Sequence, residues 1–175
     1  MKRPFSVNDL NKMIVDAKNS INSGKRTWNL PYRLGSIDFQ YDDPDKGFVY
    51  LSSRFGRFDF ITQEILYWSD EPIWAMNYYG HLRNQEDRNR VEEIAKQSMA
   101  HLYMQERFLG GIEEVIGNSS YNEKSEGTLL SFKGQGTVSY KNLQLFEFYY
   151  HGGLLIDERE LKSKRRPTIK FDGGK

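Results

Sequence analysis

The chain contains no cysteine in its 175 residues. That excludes a disulfide framework, a thiolate metal site and a thiol nucleophile, and it suits a reducing compartment. No apolar run approaches the roughly 20 residues of a membrane span, so no membrane partner is expected. The opening Met1-Lys2-Arg3-Pro4-Phe5 is basic but leads into no apolar segment, so it does not read as a secretory signal. A large net charge is missing as well. At +1 the protein as a whole is no polyanion binder, and a cytoplasmic location is expected. The charge is uneven, however: Lys162-Ser163-Lys164-Arg165-Arg166 makes the tail basic. No groove-reading motif accompanies it, so specific nucleic-acid binding is not expected. Apolar residues are scarce at 38%, yet 14% of the chain is aromatic, so much of the core must be Phe, Tyr and Trp. Such rings bury large areas, and the tips of Tyr and Trp need partners.

Two short aromatic runs stand out. Ile73-Trp74-Ala75-Met76-Asn77-Tyr78-Tyr79-Gly80-His81-Leu82 has an echo in Leu145-Phe146-Glu147-Phe148-Tyr149-Tyr150-His151-Gly152-Gly153-Leu154. Both are rich in strand formers and both end on Tyr-Tyr beside glycine and histidine. Ahead of the first run, residues 6–23 read as a helix. Ser6 and Asp9 form a capping-box-like pair, and Leu10, Met13, Ile14, Ala17 and Ile21 make one stripe before Gly24 stops it. Residues 85–108 read as a second helix, with Asp87 or Asn84 as its cap and Val91, Ile94, Ala95, Ser98 and Leu102 along its apolar line.

Strands fill the intervals. Ile37, Phe39 and Tyr41 alternate with Asp38 and Gln40, as in a half-buried strand. Asp42-Asp43-Pro44-Asp45 is a turn without the ligand spacing of a calcium loop. Three further strands follow, from Phe48, from Phe60 to Trp68 and from Ile73 to Tyr79. In the second half Gly117-Asn118-Ser119-Ser120 reads as a loop, and strands are expected at 129–132, 137–140 and 143–150 with Lys141-Asn142 as a tight turn. The expected fold is α+β, with two antiparallel sheet units from an internal duplication and helices packed on the sheet. A single domain spans 1–156, in repeat-like halves 6–82 and 85–156. Residues 157–175 form a basic, partly disordered tail with a short helix at 157–164.

Pro31-x-Arg33-x-Gly35-Ser36-x-Asp38, Trp74-x-Met76-Asn77-Tyr78-x-Gly80 and Tyr150-His151-Gly152-Gly153-Leu154 together resemble a bacterial family catalogued as domain of unknown function 5680. The resemblance runs from the first helix to about Ile156. It implies a small stand-alone protein, or a sensing or binding module of the kind found behind helix-turn-helix segments, of bacterial or phage origin; it implies no activity. In this chain neither helix is followed by a short turn and a recognition helix.

Enzyme signatures are absent. There is no Gly-x-Ser-x-Gly, no P-loop and no dinucleotide fingerprint, and Gly134-Gln135-Gly136 sits inside a strand pattern, where it predicts a bend or bulge. The histidines lack metal-ligand spacing, and no metal or cofactor is expected. His101 lies mid-helix and reads as a surface group, whereas His81 and His151 end the aromatic runs. Strand alternation places Asn77, Tyr79 and His81 on one face, opposite Trp74, Met76 and Tyr78. The same rule groups Glu147, Tyr149 and His151, and a strict superposition of the copies puts the two histidines on opposite faces unless a bulge intervenes. The expected ligand site comprises Arg33, Trp74, Asn77, Tyr79, His81, Tyr150 and His151, with Arg54 and Arg57 as further cations. The expected function is non-catalytic binding of a small, planar or phosphorylated ligand, such as a nucleotide or nucleotide-like signal, at aromatic strand ends. The alternatives are a protein-interaction module of inhibitor or immunity type, with a protein partner, and a hydrolase pairing a histidine with a carboxylate (His151 with Glu147, or His81 with Glu64).

Overall fold

A computed structural model describes residues 5–25, 27–28 and 31–162. Helix α1 (Val7–Asn22) starts where the sequence requires it. The Ser6 hydroxyl accepts from the Asp9 N–H at 3.2 Å, and Asp9 Oδ2 accepts from the Ser6 N–H at 2.8 Å. This reciprocal cap satisfies two donors the helix leaves open. Leu10, Met13, Ile14 and Ala17 are buried, and Gly24 takes the left-handed conformation at φ 81° just past the end.

The first strands are β1 (Thr27–Trp28), β2 (Ile37–Asp43), β3 (Phe48–Phe55), β4 (Phe60–Trp68) and β5 (Glu71–Leu82). A 3-10 turn at Gln85–Asp87 leads into α2 (Arg88–Met104). The second helix is therefore shorter than the expected 85–108. The Asn84 side chain accepts from the Glu86 N–H at 3.2 Å, whereas Asp87 binds Arg90 at 2.9 Å instead of capping. The helix ends before Glu106, which turns left-handed at φ 55°, ahead of the glycine pair expected to stop it. Strands β6 (Ile112–Ile116), β7 (Ser119–Thr128), β8 (Ser131–Tyr140) and β9 (Leu143–Leu154) and a short helix α3 (Glu158–Lys162) follow.

The nine strands among the described residues form one antiparallel sheet in the order β1-β2-β3-β4-β5-β9-β8-β7-β6. The chain is α+β, but the expected two sheet units are a single continuous sheet. The join is β5 against β9, paired from Trp74↔Leu154 to Leu82↔Phe146. Tight hairpins set the register on both sides. Ser69-Asp70 (φ 59° and 66°) and Lys141-Asn142 (φ 49° and 63°) both take the left-handed pair that suits a two-residue turn.

Three other expectations change. The loop expected at 117–120 is only the turn between β6 and β7; the polar run Ser119–Thr128 is a full strand that lacks apolar alternation. Strand β8 is continuous through Gly134 and Gly136, and its register shift lies at Val138/Ser139 instead. On β2, Asp38 is buried while Ile37 is 45% exposed. The Pro31–Ser36 segment folds over Asp38, whose Oδ2 accepts from the Tyr32 N–H at 2.7 Å and the Ser36 hydroxyl at 2.6 Å. The short helix expected at 157–164 is present as α3, and its Leu161 is buried. Residues 163–175 lie outside the described residues.

The helices pack on the inner sheet face, where Phe48, Tyr50, Leu66 and Trp74 meet Leu10, Ile14, Val91 and Ile94. No helix among the described residues is long and apolar enough to cross a membrane.

Candidate functional site

The aromatic inner face does not fill the space beneath the helices, because its rings lie down on glycines. A Cβ added at Gly80 would meet Phe146 Cζ at 2.6 Å, one at Gly136 would meet Phe148 Cζ at 2.3 Å, and one at Gly134 would meet Tyr150 Cζ at 2.1 Å. Each ring therefore lies across a neighbouring strand where only hydrogen stands. The result is a floor of near-parallel rings. Phe60 and Tyr78 are 5.6 Å apart and 12° from parallel, Tyr78 and Phe148 5.3 Å and 16°, and Tyr78 and Tyr150 6.4 Å and 4°.

Above this floor lies a cavity of about 570 Å³, bounded by α1, α2 and the inner sheet face. Its size falls in the range of small-molecule sites. Exposed Gly24, Arg57, Phe58 and Glu92 also line it, so it opens to solvent beside the β3–β4 turn.

Four charged side chains of α1 and the sheet reach the cavity from partly or fully buried positions. Lys18 of α1 is buried and bonds Glu64 of β4 at 2.5 Å, and Tyr50 donates to the same carboxylate at 2.6 Å. This pair is internally neutral. Glu123 of β7 is buried and accepts from Tyr150 at 2.5 Å and from Tyr121 at 3.0 Å. Burial raises its pKa above the usual carboxylate value, against the two phenol hydrogen bonds that favour its charged form. Arg54 of β3 lies with its guanidinium carbon 3.8 Å from the centre of the Phe60 ring. Its Nε is buried without a hydrogen-bond partner, and no carboxylate among the described residues comes within ion-pair distance. The nearby Glu92 is held by Arg88 at 2.9 Å. Burial is the main cause that pulls Arg54 below its ordinary value, which for an arginine still leaves it a cation.

The expected site residues divide between the two faces. Trp74 and Tyr150 belong to the inner face, and Trp74 is core. It is fully buried, stacked on Phe132 at 5.7 Å, with its indole N–H donating to the Leu129 carbonyl at 3.2 Å. Arg33, Asn77, Tyr79, His81 and His151 share the outer face or its rim. Arg33 donates to Gln63 at 3.3 Å, Gln63 donates to Asn77 at 3.4 Å, and Asn77 lies opposite His151. Tyr79 lies opposite Tyr149, and His81 lies opposite Glu147 with its Nδ1 2.7 Å from Asp59. The two histidines thus share a face, because antiparallel pairing brings position 81 against 147 and 77 against 151. His81 cannot meet Glu64, which points to the inner side. His101 bonds Glu114 at 2.6 Å, and no histidine lines the cavity.

The seven residues therefore do not make one site. Arg54 was among the expected cations, but Glu123, Glu64, Lys18 and Tyr78 were not in the expected site. The sequence did hold one signal for Lys18: a charge inside the α1 apolar stripe, between Ala17 and Ile21.

No curated protein and no solved structure matches the chain. A family model does, over residues 52–155, which include Arg54, Glu64, Tyr78, Glu123 and Tyr150, and leave α1 and the Pro31–Asp38 segment ahead of the match. On that match, spanning more than half of its length, the chain belongs to the family described as Domain of unknown function (DUF5680).

Proposed function

We propose that the protein is a non-catalytic cytoplasmic binding module that takes a small amphipathic anion into the cavity beneath its helices. The observation that carries this is Arg54, a cation inside an aromatic cavity with a buried Nε and no carboxylate partner among the described residues. A buried donor without an acceptor is costly, and a bound anion would supply the missing acceptor together with a counter-charge. Arg57 and Arg88, which line the same opening, add to the attraction. The floor of parallel rings favours a planar body, a class that includes nucleotides.

Both halves of the chain contribute to this one cavity. Their relation as internal repeats is supported by a helix followed by a run of antiparallel strands in each, α1 with β1–β5 and α2 with β6–β9.

The test is titration with 2-naphthoate, a planar aromatic acid, followed by calorimetry and thermal melting. Wild type binds and melts higher, and a folded Arg54→Gln variant binds roughly 10- to 100-fold more weakly, the worth of a charged hydrogen bond. Equal binding by both proteins, or none by wild type, overturns the reading. A second reading, a protein-interaction module, is favoured by one row across the outer face, where Ile61, Tyr79 and Tyr149 are 43–49% exposed side by side. It predicts loss of a protein partner in Tyr79→Ala with the cavity probe unaffected.

A further inference from the structure

Glu123 gives the cavity a second fixed point, of opposite sign to the first. It is 7% exposed, lines the cavity and accepts one phenol hydrogen bond on each oxygen. An ionised carboxylate has about four acceptor positions, so half its capacity remains. No lysine or arginine among the described residues comes within ion-pair distance of it.

The strand order sets these groups apart in a definite way. Arg54 stands on β3 and Glu123 on β7, on either side of the central β5–β9 pair. Tyr78 of β5 lies between them: after burial, Glu123 is the main cause that raises its pKa, while Arg54 acts to lower it. Its hydroxyl has no hydrogen-bond partner among the described residues. Arg54 leans over Phe60 of β4, and Glu123 reaches Tyr150, whose ring lies across Gly134 of β8. The interval left open is two to three strand spacings, about 10–14 Å. A fused bicyclic ring with a substituent at each end fills that length.

We infer that the cavity selects planar aromatic acids that carry an N–H or O–H donor at the end remote from the acid group, with Arg54 holding the acid and Glu123 accepting from the donor. This rests on the anion-binding reading of the same cavity. A purely structural Glu123 would serve only to clasp Tyr121 and Tyr150, and it would be indifferent to the far end of a ligand.

Two probes of equal ring size separate the cases: 2-naphthoate, and 6-amino-2-naphthoate, which adds a neutral N–H donor opposite the acid. Calorimetry on the full chain should show the amino acid bound at least tenfold tighter by wild type. Glu123→Gln keeps the size of the side chain and removes a charge that burial disfavours; in it the tenfold preference should vanish. Equal affinity of the two acids for wild type overturns this inference and leaves the Arg54 reading intact. A preference that survives in Glu123→Gln overturns it too. Binding of neither acid overturns both readings together. Should Glu123→Gln fail to fold, the wild-type comparison alone decides.

Discussion

Alanine at position 134 should be destabilising, although alanine in a strand interior ordinarily gains roughly 0.5–1 kcal/mol over glycine. Gly134 has no left-handed φ to protect. The obstacle is Tyr150, whose Cζ, hydroxyl and Cε1 lie 2.1, 2.3 and 2.6 Å from the new Cβ. Ordinary carbon contacts begin near 3.5 Å, so the ring must rise by about 1.4 Å into the cavity. That movement breaks the 2.5 Å hydrogen bond to Glu123, worth about 1.5–3 kcal/mol for a charged acceptor. Overpacking adds about 1–3 kcal/mol. The net expectation is a loss of about 2–5 kcal/mol, read as a lower urea midpoint at unchanged slope. The decisive measurement is a double-mutant cycle. With Tyr150→Leu in place, no ring lies over position 134, and the alanine should cost less than about 1 kcal/mol. Additive costs within about 0.5 kcal/mol would refute the account of the glycines as seats for the rings.

Three other outcomes follow from the same structure. Burial alone would raise the pKa of Asp38, but hydrogen bonds from Ser36, Ser53 and the Tyr32 N–H outweigh it and hold the carboxyl below its usual value. Its stabilisation is therefore present above the unfolded value of about 3.9 and lost as pH falls through the lower folded one, so melting curves from pH 5 to 2 should be flatter for Asp38→Asn than for wild type. Leu161 is 3% exposed, so Leu161→Ala should cost about 2–4 kcal/mol in denaturant unfolding; no change would mean that α3 does not dock. The pair Tyr79→Phe with His151→Gln changes the outer face only, and it should leave stability within about 1 kcal/mol and 2-naphthoate binding at the wild-type value by calorimetry.

The parts of the fold legible in the sequence were those with a local cause. The Ser6–Asp9 cap, the α1 stripe and the Lys141-Asn142 turn each depend on a few neighbouring residues, and each is found where expected. Strand β7 was hidden because Ser119–Thr128 carries Asn, Lys, Ser and two Glu where a strand signal needs alternating apolar residues. Its inward residues Tyr121 and Glu123 serve a polar cavity wall, so period-2 hydrophobicity never develops. Asp38 inverted the expected burial of β2 for a related reason. The groups that shield it come from the Pro31–Ser36 segment, which has no periodicity to read.

The site was harder to read, and the cause is the direction of the side chains. Asn77, Tyr79, His81 and His151 drew attention as polar groups at strand ends, where packing has no need of them. Placed on the outer face, such groups meet water or one another, as in the run Arg33, Gln63, Asn77, and they cost little there. The costly groups are on the other face. Arg54, Glu64, Lys18 and Glu123 lose hydration in part or in full under two helices, and among the described residues only the Lys18–Glu64 pair is answered by an opposite charge within bonding distance. A sequence shows four ordinary charges at 18, 54, 64 and 123; only the β5–β9 pairing brings strands 3 and 7 to opposite walls of one cavity. The aromatic content follows the same logic. Leu or Val on these strands would stand upright and fill the space, whereas rings laid over Gly80, Gly134 and Gly136 form a flat floor and leave room above it. The glycines and the aromatics thus act as one device, which keeps a core-facing surface open while burying Phe146, Phe148 and Tyr150, the rings seated on Gly80, Gly136 and Gly134.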